Sequence, residues 1–467
     1  MFIGRKNELQ LLDSLNTSGK FEFLVLYGRR RVGKTSLLKE FSKNKEIIFF
    51  SAQEKNDSLN LQDFSRTVQN FFEGRSFSSF ESWQKAFEYI DHKSSEKHTT
   101  IIIDEFPFIA SENPSVKSIL QHTIDHEWSN KNIFLILCGS SVSFMENDVM
   151  GYKSPLYGRS TSQLELLPFD YLDSAEFFKN YTATDKIAAY GILGGIPCYL
   201  QAFDANKSIK DNIARSILRT GSFLAEEPQS MLKMELRDPA VYNSIFEAIA
   251  NGASRMNDIT TKIHEDASKC SKYLKTLIDL KLISRNTPCG EDDSSRKTLY
   301  TISDNFFSFW YRFIFTEKSY YELIGEEAAA EEITAPESIN DYMGLIFEKI
   351  CQQYIIRLAK QKKLPFIPHQ IGKWWGTNNK LKRQDDCDIL LLGKGNKHAI
   401  FCECKFKNSP LDKKEYDDLC YTADNFSNVA EKYFYFFSKG GFTEWIKEKA
   451  QTSTNIVLVE PADLFNL

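Results

Sequence analysis

The chain has 467 residues, and its 58 basic and 63 acidic side chains leave a formal net charge of -5. This length predicts about three domains, and the near balance of charge excludes the global positive field that marks many nucleic-acid-binding proteins. The nine cysteines form no CxxC pair, which argues against a disulfide framework or a zinc finger. The start MFIGRKNELQ lacks a signal-peptide pattern and the apolar runs are too short to cross a bilayer, so we expect a soluble, cytoplasmic protein with no membrane partner.

The first third of the chain alternates short apolar runs with amphipathic stretches. The runs FEFLVLY, EIIFF, TTIIIDEF and NIFLILC are apolar enough to be strands buried on both faces, and helical stretches such as KTSLLKEFS separate them. This alternation predicts an α/β fold with a doubly wound parallel sheet over residues 1–167. Residues 168–235 have helical patterns, and we expect them to form a helical lid.

A glycine-rich stretch, YGRRRVGKTS, follows the first apolar run and contains the pattern GxxxxGK[ST]. Backbone N–H groups of such a loop cradle phosphate oxygens, the lysine reaches the terminal phosphates, and the hydroxyl joins a Mg²⁺ shell. Because a strand precedes the pattern and a helix follows it, the sequence predicts a P-loop for ATP or ADP rather than a plain glycine turn. The predicted nucleotide-binding residues of this loop are Gly28, Arg29, Arg30, Arg31, Val32, Gly33, Lys34, Thr35 and Ser36, with Lys34 also catalytic and Thr35 also a metal ligand.

Two carboxylates, Asp104 and Glu105, end the apolar run IIIDEF. Open α/β sheets bind their ligands at the carboxyl ends of the strands, where these side chains are expected. We predict that Asp104 holds the magnesium shell of the nucleotide and that Glu105 polarises the attacking water. The alternative is an ordinary acidic strand end.

Two further polar residues extend the predicted site. Ser140 follows the run FLILC and is placed either to bring a hydroxyl to the terminal phosphate or to cap a helix. Arg159, in PLYGR, is a candidate catalytic arginine finger supplied in cis or by a neighbouring subunit; a structural salt bridge is the alternative. A finger supplied by a neighbour would imply a homo-oligomer or a regulatory protein partner.

The elements FIGRKNEL, GRRRVGKT, IIIDEF, LCGSS and PLYGR, in this order, resemble the archaeal-type ATPase family of AAA-like, signal-transduction-type P-loop proteins. The resemblance covers residues 2–235 and extends through the helices that follow. It implies slow, switch-like use of ATP. It also implies that Phe2, Ile3 and Arg5 lie beside the adenine of the nucleotide.

Residues 236–320 contain three helical segments and then two short strands around a polar loop, which predicts a winged helix-turn-helix. Lys269, Lys272 and Lys275 recur every three residues on the third helix, and such a basic stripe suits the phosphates of DNA. The acidic wing loop GEDDSS argues against DNA contact, so a solvated helix face and a module that packs on the ATPase stay open. Residues 321–343 are acidic and small, and they predict a linker.

The last segment, residues 344–467, predicts a second α/β domain of the restriction-endonuclease-like type. The stretch DCDILLLGKGNKHAIFCECKF predicts a hairpin that brings Asp388 beside Glu403, with Lys405 on the same strand face. Carboxylates bind Mg²⁺, and a nearby lysine can activate a water that attacks a phosphodiester. We therefore predict Glu348, Asp388 and Glu403 as metal ligands and Lys405 as a catalytic residue; a cross-face ion pair on a half-exposed strand is the alternative.

This set of a helix glutamate, an aspartate and Glu-x-Lys resembles the PD-(D/E)xK nuclease superfamily. Residues 344–410, including IGKWWG, also resemble the nuclease-like domain often fused to archaeal-type ATPases. One departure is Asp386, where a glutamate is expected, so one carboxylate is a methylene shorter and the metal geometry is in doubt. Trp374 and Trp375 are placed either to stack on bases or to pack in the core.

Together these patterns predict an ATP-binding and ATP-hydrolysing switch whose nucleotide state controls a metal-dependent nuclease-like domain acting on DNA or RNA. Two other hypotheses stay open. One is a regulatory or signalling ATPase whose carboxyl-terminal domain is only a binding platform. The other is an ATP-dependent regulator that binds DNA through its winged helix.

Overall fold

The structure is a computed structural model that describes residues 2–76, 78–94, 97–236, 238–292, 295, 297–378 and 382–466. It divides into two compact units, which we call unit 1 (Met1–Pro168 with Ile196–Cys198) and unit 2 (Phe169–Gly195 with Tyr199–Leu467). The sequence predicted five successive segments. The structure instead places the predicted lid, winged helix, linker and carboxyl-terminal domain in one unit.

Unit 1 contains a wholly parallel sheet. Its strands are β1 (Glu22–Tyr27), β2 (Ile47–Ser51), β3 (Thr99–Asp104), β4 (Ile133–Gly139) and β5 (Ser162–Glu165). They lie in the order β2-β3-β4-β1-β5, and all four neighbouring pairs are parallel. Strands β3 and β4 are buried along their whole length, which explains why their sequences do not alternate with polar residues. The predicted parallel sheet is confirmed.

Helices separate these strands, as the alternating pattern predicts. They are α1 (Lys6–Asn16), α2 (Lys34–Phe41), α3 (Asp57–Glu73), α4 (Trp83–Lys93), α5 (Phe106–Glu112), α6 (Ser115–Thr123) and α7 (Val142–Phe144), with π-helical turns at Ile124–Trp128 and Met145–Val149. Helix α3 begins where the Asn56 side chain accepts a hydrogen bond from the Leu59 N–H. Phe64, Trp83 and Phe87 are buried together and join α3 and α4 to the core of the sheet.

Unit 2 begins with helices. They are α8 (Tyr171–Ala175), α9 (Ala183–Leu193), α10 (Pro197–Leu200, which spans the change of unit), α11 (Ile209–Ile213), α12 (Glu227–Glu235), α13 (Pro239–Ala250), α14 (Met256–Ile263) and α15 (Ala267–Asp279), with a π-helical turn at Ala214–Leu218 and a 3-10 turn at Phe223–Ala225. Strands β6 (Ile283–Asn286) and β7 (Leu299–Ile302) then pair as an antiparallel hairpin. From α13 to β7, the element order is the one expected of a winged helix. Asp293 and Ser294 of the predicted acidic wing loop lie outside the described residues.

The predicted linker at residues 321–343 is wrong, because this segment is helical. Four helices run through it and its flanks, α16 (Asn305–Phe313), α17 (Lys318–Ile324), α18 (Glu326–Thr334) and α19 (Pro336–Lys360). Ala329, Ala330 and Ile333 form one buried face of α18. Small side chains at helical spacing let a helix pack closely, so the acidic residues mark only the solvated face. Across the described residues, we find no helix with the length and apolar character needed to span a bilayer.

A mixed five-stranded sheet follows in unit 2. Its strands are β8 (Pro368–Asn378), β9 (Arg383–Gly393), β10 (His398–Lys405), β11 (Glu431–Ser438) and β12 (Ile456–Val459), and its helices are α20 (Lys413–Ala423) and α21 (Glu444–Gln451), with 3-10 turns at Lys394–Asn396 and Asp463–Phe465. The order is β12-β11-β10-β9-β8. Pairing is antiparallel from β8 to β10 and parallel from β10 to β12. The predicted hairpin corresponds to β9 and β10, in which Ile389 faces Cys402.

Two glycines of unit 2 provide a matched test of this packing. A Cβ at Gly195 would lie 1.8 Å from the carbonyl oxygen of Phe169, whereas a Cβ at Gly344, within α19, would meet nothing within 4 Å. We predict that Gly195→Ala lowers the free energy of unfolding by about 1–3 kcal/mol. Gly344→Ala should raise it by about 0.5–1 kcal/mol, because alanine favours a helix interior. Thermal melting followed by circular dichroism measures both, and equal melting temperatures would contradict the packing described.

Candidate functional site

The loop between β1 and α2 has the backbone shape that a phosphate cradle needs. Arg31 has φ 69° and Gly33 has φ 96°, both in the left-handed region, where a glycine is favoured. Gly28 approaches its neighbour closely, since a Cβ there would lie 2.4 Å from the carbonyl oxygen of Leu166. Val32 is fully buried, so its side chain fixes the loop against the interior of the protein. The Leu166 backbone therefore excludes a side chain at Gly28, whereas Gly33 is constrained by its positive φ and not by space, since the atom nearest to a Cβ there is 3.7 Å away.

Lys34 lies at the first position of α2 and is almost completely buried. Its ammonium donates hydrogen bonds to the carbonyl oxygens of Gly28, at 2.8 Å, and Arg29, at 3.0 Å. Burial lowers the pKa of this lysine. The ammonium is thus held inside its own loop, on carbonyls that an anionic ligand would replace as partners.

Thr35 and Asp104 connect the loop to the end of β3. The Thr35 hydroxyl donates to a carboxylate oxygen of Asp104 at 2.7 Å. Asp104 is 1% exposed, and its other oxygen accepts from the Glu105 N–H at 3.1 Å. Hydroxyl and carboxylate oxygens are the ligands that Mg²⁺ prefers, so this pair fits a magnesium shell. Ser36 is exposed in the next position of α2.

Glu105 has φ 54°, a left-handed conformation that is uncommon for a residue with a side chain. Its carboxylate accepts a hydrogen bond from the Ser140 hydroxyl, and it also accepts one from the Ser140 N–H at 3.2 Å. Ser140 follows β4, so the ends of two adjacent strands hold one carboxylate in place. The structure brings together Lys34, Thr35, Asp104, Glu105 and Ser140 at the carboxyl edge of the sheet.

Arg5, which is predicted to lie beside the adenine, contacts backbone carbonyls, and its role at the base stays a prediction. It is 9% exposed, and its guanidinium donates to the carbonyl oxygens of Val32, at 3.1 Å, and Leu167, at 2.7 Å. Arg5 therefore braces the phosphate loop through a backbone carbonyl. Phe2 and Ile3 are half-buried just before it, and their role at the base stays a prediction.

Arg159 is held in an ion pair. Its guanidinium donates to both carboxylate oxygens of Asp125, at 2.9 and 2.7 Å, and to the carbonyl oxygens of Pro155 and Tyr157. The hydrogen bonds from Arg159, together with its charge, lower the pKa of Asp125. The structure thus has the salt bridge that was the alternative to an arginine finger, and a finger role stays a prediction.

The lysine stripe of α15 is solvated. Lys269 pairs with Glu265, at 2.7 Å, one turn earlier in the chain, while Lys272 and Lys275 are exposed. Exposed pairs of this kind contribute little to stability. The stripe is accessible, and its contact with DNA stays a prediction.

A shift of register occurs in unit 2 where β8 pairs with β9. Gly372 faces Leu390 and Trp374 faces Cys387, so the single residue Lys373 lies opposite two residues of β9. This is the geometry of a β-bulge, which redirects side chains locally. The sequence did not indicate the role of Lys373, because its partners Glu348 and Asp388 lie 25 and 15 residues away in the chain.

The bulge places the Lys373 ammonium among three carboxylates. It lies 2.8 Å from Glu348, 3.3 Å from Asp388 and 3.5 Å from Asp386. Burial alone would lower the pKa of Lys373, but the negative charges of Glu348 and Asp388 raise it. Burial, followed by the charge of Asp388, raises the pKa of Glu348 to about 8. One ammonium is thus shared by three carboxylates, and Glu348 binds a proton more readily than an exposed glutamate does.

Glu403 and Lys405 form an ion pair on one face of β10, as their spacing predicts. Burial and the nearby Asp388 charge raise the pKa of Glu403 to about 7. Asp388 itself accepts a hydrogen bond from the Cys404 N–H at 2.9 Å. All the predicted residues of this cluster therefore lie close together.

The role of Glu348, Asp388 and Glu403 as metal ligands stays a prediction. Among the described residues, no group of three or more His, Cys, Asp or Glu side chains is arranged to bind a metal ion. Glu348 and Asp388 bind the Lys373 ammonium and Glu403 binds Lys405, so each carboxylate already has a cation. The spacing of the acidic residues alone could not reveal this, because Lys373 reaches them through the bulge.

The two neighbouring tryptophans have different environments. Trp374 packs against Phe426, with ring centroids 5.1 Å apart, and joins the core beneath the sheet. Trp375 is half-buried, and in the described part of the chain its indole N–H has no hydrogen-bond partner. Core packing is therefore the outcome for Trp374 alone.

Two protein families match parts of the chain. Residues 2–203 match a family described as an ATPase domain predominantly from Archaea. Residues 310–419 match a family described as "Archaea bacterial proteins of unknown function". The second match begins within α16 and crosses the boundary predicted at residue 344, so it includes the helices that replace the expected linker.

Whole-chain comparisons agree with these matches. The chain is 37% identical over 423 residues to an uncharacterized protein of Methanocaldococcus jannaschii. The alignment covers 90% of this chain and 91% of the relative. An uncharacterized ATP-binding protein of the same organism is 51% identical over 47 residues, or 10% of this chain and 80% of the relative. The solved structure of a Walker-type ATPase of Pyrococcus abyssi has a TM-score of 0.51 at 22% identity, covering 67% of this chain and 96% of that chain. A likeness at this identity shows the fold.

Removal of the Lys373 ammonium tests the carboxylate cluster. The pKa of Glu348 is about 8 in the folded protein, above its ordinary value of 4.5. Its contribution to stability is therefore fully present below pH 4.5 and is lost as the pH rises through about 8. We predict that Lys373→Met destabilises unit 2 by about 2–4 kcal/mol near pH 8, because it leaves buried carboxylates without their cation, and by less near pH 5.

Thermal melting at both pH values measures this effect. Lys447→Met is the matched control, since Lys447 forms an exposed pair with Glu444 at 3.0 Å and should change stability little at either pH. An equal loss of stability for Lys373→Met at both pH values would contradict the assignment.

Proposed function

This chain belongs to the same family as the uncharacterized Methanocaldococcus jannaschii protein, and its residues 2–203 match an ATPase domain found predominantly in Archaea; we propose from this premise that it is an ATP-binding and ATP-hydrolysing switch. The observation that carries the proposal is the hydrogen bond of 2.7 Å between Thr35 and Asp104, beside the buried ammonium of Lys34. These groups are suited to a nucleotide and its metal ion, because they offer oxygen ligands and a positive charge at one edge of the sheet.

The binding role falls to the loop and to the start of α2. Lys34 exchanges its hydrogen bonds to the carbonyls of Gly28 and Arg29 for the terminal phosphates, and the N–H groups from Gly33 onwards face the same phosphates. Thr35 and Asp104 would hold Mg²⁺, which neutralises phosphate charge when bound. Arg29, Arg30 and Arg31 add positive charge to the loop.

Glu105 is the proposed catalytic carboxylate, and Ser140 is its positioning residue. Two hydrogen bonds from Ser140 fix the Glu105 carboxylate, which would orient the attacking water and accept its proton. A carboxylate tied in this way must share its oxygens between Ser140 and the water. This competition supports slow turnover of the kind that a switch requires.

Two substitutions separate binding from hydrolysis. We predict that Lys34→Met greatly weakens ATP binding, because it removes the ammonium that reaches the phosphates. Glu105→Gln should keep binding and reduce hydrolysis about 10²- to 10⁴-fold, because an amide cannot accept the proton. A fluorescent ATP analogue measures binding and phosphate release measures hydrolysis.

Glu112→Gln is the matched control, since Glu112 is an exposed glutamate at the end of α5. Full hydrolysis by Glu105→Gln would assign the base to another residue. Normal ATP binding by Lys34→Met would refute the proposed nucleotide site itself.

For the carboxyl-terminal sheet we propose the role of a binding platform controlled by the ATPase. The ion pairs of Lys373 and Lys405 support it, because these two ammonium groups hold Glu348, Asp388 and Glu403 in ion pairs. The second candidate is the metal-dependent nuclease, and the ion pair of Glu403 and Lys405 beside Asp388 is the observation in its favour. A metal ion at these carboxylates would have to displace both lysines, which favours the binding platform.

Metal dependence separates these two candidates. We predict that labelled single- and double-stranded DNA and RNA stay intact with Mg²⁺ or Mn²⁺, with and without ATP, and that neither ion raises the melting temperature of Lys34→Met, which lacks the nucleotide site. Cleavage by the wild type that is abolished in Lys405→Ala would overturn the platform and establish the nuclease. Lys447→Ala, which changes a lysine of an exposed ion pair, controls for charge alone.

A further inference from the structure

A groove of about 630 Å³ lies within unit 2, a volume in the range of known ligand sites. Three parts of the chain line it: the start of α14, the hairpin of β6 and β7, and the hairpin of β8 and β9. The side chains that define its chemistry are Arg255, Arg285, Lys297, Tyr300, Trp375 and Gln384. This surface is separate from the lysine stripe of α15 and from the nucleotide site of unit 1.

Backbone hydrogen bonds fix the two hairpins to each other. The Cys289 N–H, from the connection between β6 and β7, donates to the carbonyl oxygen of Lys373 in β8 at 2.8 Å. The Cys289 thiol approaches the carbonyl oxygen of Leu390 at 3.4 Å, and the residue is 8% exposed. The walls of the groove are therefore preformed, which lowers the entropic cost of binding.

The described lining of the groove has three cationic side chains and no acidic one. Lys297 is paired with Glu291, which lies outside the lining. Arg285 is exposed and its guanidinium contacts only the Thr298 hydroxyl, at 3.3 Å, among the described residues. Arg255 is exposed and has no ion pair or hydrogen-bond partner in the described part of the chain. Two guanidinium groups are thus available to an anion.

The aromatic side chains give the groove a second property. Trp375 has no ring partner among the described residues, whereas Trp374 is packed in the core. The indole N–H of Trp375 also has no hydrogen-bond partner among the described residues. An unpaired buried donor is costly and is common at functional sites. Tyr300 lines the groove with it. A ligand for this surface should combine negative charge with flat rings.

We propose that this groove binds single-stranded nucleic acid, with phosphates on Arg255 and Arg285 and a base on Trp375. Bases of a single strand are free to stack on aromatic side chains, whereas those of a duplex are stacked on each other. An acidic peptide would use the arginines but would gain nothing specific from the tryptophan. The inference rests on the proposed role of this half as a binding platform, and it names the ligand class of that platform.

The test uses the full chain and a fluorescein-labelled single strand of about 12 nucleotides, as oligo(dT) and as oligo(U), followed by anisotropy between about 50 and 200 mM salt. Trp375→Leu should weaken binding on the order of tenfold, and Trp375→Phe, which keeps a ring, should recover most of it. The double variant Arg255→Gln with Arg285→Gln should weaken binding and lower the slope of log affinity against log salt by about 0.7 for each phosphate that the protein no longer neutralises.

Lys272→Gln is the matched control, because it removes an exposed charge from the α15 stripe. Loss of binding in Lys272→Gln with unchanged binding in the groove variants would overturn the proposal in favour of the stripe. The proposal would also be overturned if the protein bound a duplex more tightly than a single strand and Trp375→Leu did not change that binding. ATP-analogue binding is measured on the same samples, so absent oligonucleotide binding with normal ATP binding would refute the groove and leave the ATPase proposal standing. If Trp375→Leu fails to fold, the double variant Arg255→Gln with Arg285→Gln still tests the groove, because both arginines are exposed.

Discussion

A parallel sheet that is covered on both faces admits polar side chains only where its strands end. Unit 1 obeys this constraint: β3 and β4 are buried throughout, the polar Thr99 and Thr100 stand at the start of β3, and Asp104 and Ser140 lie at the carboxyl ends of the two strands. Parallel alignment brings these ends to the same edge as the phosphate loop that follows β1. The strand order of the buried sheet therefore brings the residues of the proposed nucleotide site to one edge.

The mixed sheet of unit 2 meets the same constraint differently. Here Glu348, Asp388 and Glu403 lie within the packed domain, where isolated carboxylates would be costly. Lys373 and Lys405 compensate the charges locally, and the bulge in β9 makes the first of these ion pairs possible. Such a cluster stabilises the fold only while its ions stay paired. The stability of unit 2 therefore depends on pH through these groups.

The amount that the sequence could predict follows from the range of each interaction. The parallel sheet, the phosphate loop and the hairpin of Asp388 and Glu403 depend on short patterns, and these were recognisable. The prediction of a linker was wrong because the acidic residues on one face of α18 dominate its composition, although the alanines on the other face are buried. Arg5, Arg159 and Lys373 have partners far away in the chain, at Leu167, Asp125 and Glu348, and no local pattern encodes such pairs.

The path of the chain between the two units has a consequence for the integrity of the protein. The chain leaves unit 1 after Pro168, returns for Ile196–Cys198 and leaves again. Ile196 is 2% exposed, and Pro197 would lie 3.7 Å from a Cβ at Gly33 in the phosphate loop. A single proteolytic cut after residue 168 would thus break the covalent link between the two segments of unit 1. The first unit can be complete only after ribosomal synthesis has passed residues 169–195 of the second.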